Sequence, residues 1–238
     1  MTREIKKNKS NNLIYIIDNY SVNFQTDRLR NLVEIFRQKI PIVDVKVIHY
    51  SQVNIGLLKS SIGIILTGSK LNVSEFYNNK LLRNQFKSIL QLIEKARDIP
   101  ILAICYGLHL TGFAFKGKIN RISIPHIGGR IISLSLKNSD ELIPYKQIMV
   151  DIQHRDYISP DDANIKIHFD IMATKELYGY NTIQYMRHLE RPIYSIQFHP
   201  ETKFMNYNYQ YSEEMINKTE EFGEEIIRNF AKICSKEI

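Results

Sequence analysis

At 238 residues with 44% hydrophobic content, the chain has the length and apolar fraction of one packed domain. Its formal net charge is +7, from 32 Lys and Arg against 25 Asp and Glu, but the basic residues are scattered. The one dense group, Lys6, Lys7 and Lys9, has no aromatic-basic stripe beside it, which argues against a nucleic-acid partner. No apolar run approaches the ~20 residues of a membrane span, and the first dozen residues lack the apolar core of a signal peptide, which argues against a membrane role.

In chain order, residues 1–12 read as a basic polar tail and 13–238 as one folded domain. Short apolar strands are predicted at Leu13–Asp18, Val43–Ile48, Gly63–Thr67 and Ile101–Ile104, with amphipathic helices at Arg28–Lys39 and Lys80–Ala96 between them. That alternation predicts an α/β fold with a mostly parallel central sheet covered by helices on both faces. Further strands are predicted at Lys118–Ile124, Gly129–Leu136, Gln147–Ile152, Ile165–Ala173, Thr182–Met186 and Ile193–Phe198, forming the far edge of the sheet and a small antiparallel layer. A last helix is predicted over Glu213–Ser235.

Two segments carry chemistry. In Ala103-Ile104-Cys105-Tyr106-Gly107, a strand that stops and turns into a helix would leave Cys105 at the apex, with small residues on either side letting the backbone close in. There the thiol gains the field of a helix N-terminus, and the Tyr106 N–H points where an oxyanion would form. Downstream, the strand Ile193–Gln197 delivers His199, followed by Pro200 and Glu201. A thiol nucleophile needs a base that also returns the proton, and the base needs an acceptor to hold its tautomer. His199 and Glu201 supply those two roles.

With Cys, then His, then Glu in this order, the chain resembles the class I glutamine amidotransferases. The resemblance runs from about Leu13 to Cys234: the first strand and turn to Tyr20, the Thr67-Gly68-Ser69 loop, the elbow, the segment Gln153-His154-Arg155-Asp156, the His-Pro-Glu triplet, and the closing helix around Gly223. It implies a flavodoxin-like sheet, catalytic Cys105, His199 and Glu201, an oxyanion hole from the backbone of Gly68, Ser69 and Tyr106, and substrate-binding by His109, Gln153, His154, Arg155 and Asp156. Three positions depart from the family pattern. His109 stands where Gln is usual, Ser69 and Lys70 where Gly and Pro are common, and Arg155 where a Ser-His-Gly-Asp segment has Gly.

The resemblance implies hydrolysis of glutamine to glutamate and ammonia through a Cys105 thioester, with ammonia passed to a separate synthase. Within the family the look is closest to the amidotransferase component of GMP synthase. The alternative is a free-standing γ-glutamyl peptidase, whose relatives share Thr-Gly-Ser in the first loop; a third is a non-catalytic binding protein that kept the fold. No cofactor and no metal are expected, because the chemistry needs neither and His49, His126, His168 and His188 lack ligand spacing. Two cysteines make no disulfide framework, and a cytoplasmic location suits a working thiolate. His154 and Asp156 read either as substrate ligands or as a hydrogen-bonded sheet edge. Asp18 reads as a turn cap rather than a phosphate or metal ligand, and Thr202–Tyr211, with Phe204, Tyr207, Tyr209 and Tyr211, either as a loop packing its rings locally or as a lid or partner-docking surface.

Overall fold

The computed structural model describes residues 12–20, 27–124, 129–204 and 211–235. Its elements are β1 (Leu13–Asp18), α1 (Asp27–Lys39), β2 (Asp44–His49), β3 (Gly63–Leu66), α2 (Lys80–Gln85), α3 (Lys87–Lys95), β4 (Ile101–Ile104), α4 (Tyr106–Ala114), β5 (Ile119–Arg121), β6 (Arg130–Ser135), β7 (Gln147–Ile152), β8 (Asp156–Ile158), α5 (Ala163–His168), β9 (Phe169–Leu177), β10 (Tyr180–His188), β11 (Ile193–Ile196) and α6 (Glu213–Ser235), with short 3-10 turns at 50–52, 55–59 and 73–77. A seven-stranded sheet runs β2-β1-β3-β4-β11-β10-β9. The strands from β2 to β11 pair in parallel, and β10 and β9 close that edge antiparallel.

The pleat sorts the central strands between two cores, because successive side chains point to opposite faces. Ile14, Ile16, Ile65, Leu102 and Ile104 join the core under α1 and α6, whereas Tyr15, Ile17, Ile64, Leu66, Ile101 and Ala103 join the core with α3 and α4. Helix α6 buries Thr219, Gly223, Ile226, Ile227, Phe230, Ala231 and Cys234, a stripe at helical spacing. No described helix is long and apolar enough to cross a membrane.

Several expected elements differ. The helix expected over Lys80–Ala96 is two helices broken at Phe86, whose buried ring stacks on Tyr50 at 4.4 Å and meets Tyr106 edge-on at 5.3 Å. Burying that ring outweighs helix continuity. The strand expected at Ile165–Ala173 begins as α5, because Asp162 caps the helix by accepting the Ile165 N–H at 3.0 Å, and β9 starts only at Phe169. The antiparallel layer is two separate ribbons, β5–β8 and β6–β7. Strand β8 was not expected, and His154 lies in the loop between β7 and β8 rather than in a strand. Asn12, placed in the expected tail, already accepts the Asp44 N–H at 2.8 Å. The rest of that tail, His126, Tyr207 and Tyr209 lie outside the described residues.

Candidate functional site

The parallel strands β1, β3, β4 and β11 end at one rim, where an open α/β sheet places its ligands. Cys105 stands there between β4 and α4, with φ 52° and ψ −97°. A left-handed φ on a residue that carries a Cβ costs roughly 1–3 kcal/mol and persists only where the surroundings enforce it. Here the Cys105 N–H is tied to Ile196 O at 2.8 Å, so β11 holds the apex from below. Gly107 makes the turn sterically feasible, since a Cβ there would lie 2.7 Å from the Leu66 carbonyl oxygen.

His199 follows β11, and its N–H donates to Asp151 O at 2.9 Å. Its Nδ1 pairs with Glu201 Oε1 at 2.8 Å, both side chains being buried. Its ring packs on Gly68, where a Cβ would come within 2.8 Å of Cε1. Burial and the Arg28 cation oppose protonation of His199, yet Glu201 and the Cys105 side chain outweigh them and raise the imidazole from its ordinary 6.5 to about 9. Burial likewise opposes ionisation of Glu201, but His199 and Arg28 overcome it and hold the carboxyl below its usual range. The arrangement can therefore keep a proton on His199 beside a thiol at neutral pH.

The loop after β3 is pinned by Asn19. Its N–H donates to Thr67 Oγ1 at 3.0 Å, its amide to Thr67 O at 2.8 Å, and Ser69 Oγ donates to its carbonyl at 2.8 Å. Ser69 thus faces the elbow across a cleft of about 310 Å³, which Cys105, Tyr106, His109, His199, Arg28, Lys70 and the segment Gln153 to Asp156 also line, while Gly68 stands against the His199 ring. Tyr106 opens α4, where first-turn amides have no acceptor within the helix.

The expected substrate residues divide. Gln153 is exposed and its carbonyl lies 3.9 Å from Cys105 Sγ. Arg155 lines the cleft with its Nε buried and without an acceptor. Asp156 is turned to the 73–77 turn, accepting from Ser74 N–H at 2.8 Å and Ser74 Oγ at 2.7 Å. His154 Nδ1 donates to Asp156 O at 2.9 Å, and burial, aided by His109, drives its imidazole down to about 3. His109 is buried and bonded through Nε2 to Gln197 Oε1 at 2.8 Å. Asp18 caps its turn, accepting the Tyr20 N–H at 2.9 Å.

Two participants escaped sequence reasoning. Gln197 donates from Nε2 to Cys105 Sγ at 3.6 Å; its place two residues before His199, on the same face of an extended segment, was a usable signal. Arg28, in the first turn of α1, pairs with the buried Asp151 at 2.9 Å, and Asp151 also accepts from Thr202 Oγ1 at 2.8 Å. Nothing local in the sequence marks that pair, which joins residues 123 apart. Among the described residues no cluster of His, Cys, Asp and Glu could hold a metal ion.

A family model for glutamine amidotransferase class-I matches residues 15–218. The chain is similar to a glutamine-hydrolyzing GMP synthase subunit of Pyrococcus abyssi, 31% identical over 142 residues, which cover 58% of this chain and 62% of that one. It is also similar to the same subunit of Methanopyrus kandleri, 30% identical over 147 residues, covering 60% and 65%. The matched stretch thus spans under two thirds of either relative's length. A solved structure of a GMP synthase subunit from Thermoplasma acidophilum superposes with a TM-score of 0.68 at 25% identity and covers 94% of both chains.

Proposed function

The chain belongs to the class I glutamine amidotransferase family, and on that premise we propose that it is a glutaminase working through a Cys105 thioester. The observation that carries this reading is Cys105 on a strained elbow, sharing one cleft with a His199 that is clamped to Glu201 at 2.8 Å. The Cys105 thiolate attacks the γ-carbonyl carbon of glutamine, forming the C–S bond while the N–H groups of Tyr106 and of the Gly68–Ser69 loop hold the oxyanion. Collapse expels ammonia, which takes the proton from His199. A water then gives a proton to His199 and attacks the thioester, the C–S bond breaks, and glutamate leaves. Glu201 holds the imidazole in one orientation throughout.

The ammonia acceptor in this reading is a separate synthase of the GMP synthase type, as the names of the two archaeal relatives suggest. A second reading, hydrolysis of γ-glutamyl conjugates without a partner, is favoured by Arg155, a cation in the cleft whose Nε has no acceptor and which suits a further carboxylate. Ammonia release from glutamine, measured beside Cys105→Ser and beside glutathione as substrate, tests both. Cys105-dependent release from glutamine supports the first reading, Cys105-dependent cleavage of glutathione alone the second, and turnover that survives Cys105→Ser refutes both.

A further inference from the structure

The position four residues after Cys105 is the one at which the family resemblance implies a substrate-holding amide, and this chain places His109 there. The structure gives that side chain a different task. His109 is one helical turn from Cys105, its N–H bonded to Cys105 O at 3.3 Å, so the two side chains share a face of α4. Its ring is buried, and its Nε2 meets Gln197 Oε1 at 2.8 Å. An amide oxygen can only accept, so Nε2 carries the hydrogen and His109 is the donor. With its oxygen held, the Gln197 amide has one direction left for its nitrogen, and Nε2 lies 3.6 Å from Cys105 Sγ. A buried N–H aimed at sulfur favours the thiolate over the thiol, because a hydrogen bond to the charged form stabilises that form.

We propose that His109 is a positioning residue for the nucleophile: it locks the Gln197 amide so that its N–H donates to Cys105 Sγ, and it does not hold the substrate. The proposal rests on Cys105 being the nucleophile. Burial keeps His109 in its neutral form, the form that donates from Nε2 without adding a second cation beside His199. The neighbouring polar chain supports the same geometry from behind, since His154 is anchored on Asp156 O and lies with its ring centroid 6.5 Å from that of His109.

The test reads the thiol before it reads turnover. Iodoacetamide alkylation of Cys105 is followed against pH in the full chain for the wild type, His109→Leu, His109→Gln, Gln197→Leu and His109→Leu/Gln197→Leu. The other titratable groups lining the cleft are His199, backed by Glu201, after β11, Asp27 and Arg28 on α1, Tyr20 after β1, Lys70 after β3, Tyr106 on α4, His154 and Arg155 after β7, and Asp156 at the start of β8. They are the same in every variant, so a shift belongs to the altered pair. Both Leu single variants should move the alkylation midpoint up by about one pH unit, His109→Gln should restore it because its amide also donates, and the double variant should be no worse than the worse single one. In glutamine hydrolysis the Leu variants should lose kcat by about ten-fold with KM changed less than about two-fold.

A rise in KM alone, an unmoved midpoint in variants that melt like the wild type, or additive losses would overturn the proposal. Should His109→Leu not fold, Gln197→Glu, nearly isosteric and acceptor-only when ionised, replaces it with the same expected midpoint rise. Alkylation needs no substrate, so shifted midpoints in a chain that releases no ammonia would leave the relay standing and reject the glutaminase reading.

Discussion

Cys105 and Cys234 are almost equally hidden, 5% and 7% exposed, and both sit in the core under α1 and α6. Their surroundings set them apart. Cys234, near the end of α6, fills the space that Gly63 leaves, its Sγ lying where a Cβ at Gly63 would stand, and burial alone pushes its thiol pKa up. Cys105 is held at a positive φ by Ile196 O, receives the Gln197 N–H, and faces His199 across the cleft with Arg28 beside it. Burial therefore does not make a thiol inert. What matters is whether the hidden sulfur is offered donors and positive charge, or only methylene groups.

The sharpest way to break this contrast is to exchange the roles. Cys105→Ala should cut glutamine hydrolysis by roughly four orders of magnitude, whereas Cys234→Ala should leave the rate within about two-fold and cost about 1–2 kcal/mol in a thermal or urea melt. Equal losses of activity would erase the distinction.

Removing the clamp on His199 should come next. Glu201→Gln should lower kcat/KM by about 10²- to 10⁴-fold. In the wild type the rate should fall as the pH rises through about 9, where His199 loses the proton that the proposed mechanism delivers to ammonia, and Glu201→Gln should move that limb to lower pH. The same shift bears on folding. Because its folded value lies above its unfolded one, His199 stabilises fully below about 6.5 and loses that contribution as pH rises through about 9. His154, held down to about 3, behaves oppositely: its contribution is present above about 6.5 and is lost as pH falls toward about 3. Urea midpoints measured across pH 3 to 10 should therefore decline at both ends.

On the Cys105 side, Arg28→Met should narrow the gap between the two thiols, slowing Cys105 alkylation by removing the adjacent cation. It also leaves Asp151 buried without its partner, and the stability loss should be about 3–5 kcal/mol by urea titration, with Arg28→Met/Asp151→Leu recovering part of it. On the Cys234 side, Gly63→Ala should cost about 1–3 kcal/mol with no change in glutaminase rate, and combining it with Cys234→Ala should relieve most of that cost. A Gly63→Ala loss that persists in the double variant would show that Cys234 is not what fills the space.

The contrast also separates what was legible in the chain from what was not. The elbow was readable because its requirements are local: an apolar strand, a small residue two before the Cys and Gly107 two after it. The His199–Glu201 pair was readable for the same reason, as the two lie two residues apart. Strand alternation, read further, would have placed Gln197 beside His199. The break at Phe86 was not legible, since its cause is a pocket made by Tyr50 and Tyr106 from elsewhere in the chain. Nor was the helical start of the Ile165 segment, where one capping Asp overrode an apolar, β-branched run.

By itself the sequence determined the central parallel strands, their cover of helices on both faces, the first and last helices, and the two short segments that present Cys105 and the His199–Glu201 pair, because hydrophobic period and turn chemistry act over a few residues. Only the tertiary structure decided that Asp156 is held by Ser74, that Arg28 is paired with Asp151, and that His109 is bonded to Gln197. Those pairings join residues 82, 123 and 88 apart. A buried polar group takes whatever partner the packed elements bring within reach, and that partner is set by the sheet order rather than by neighbours along the chain.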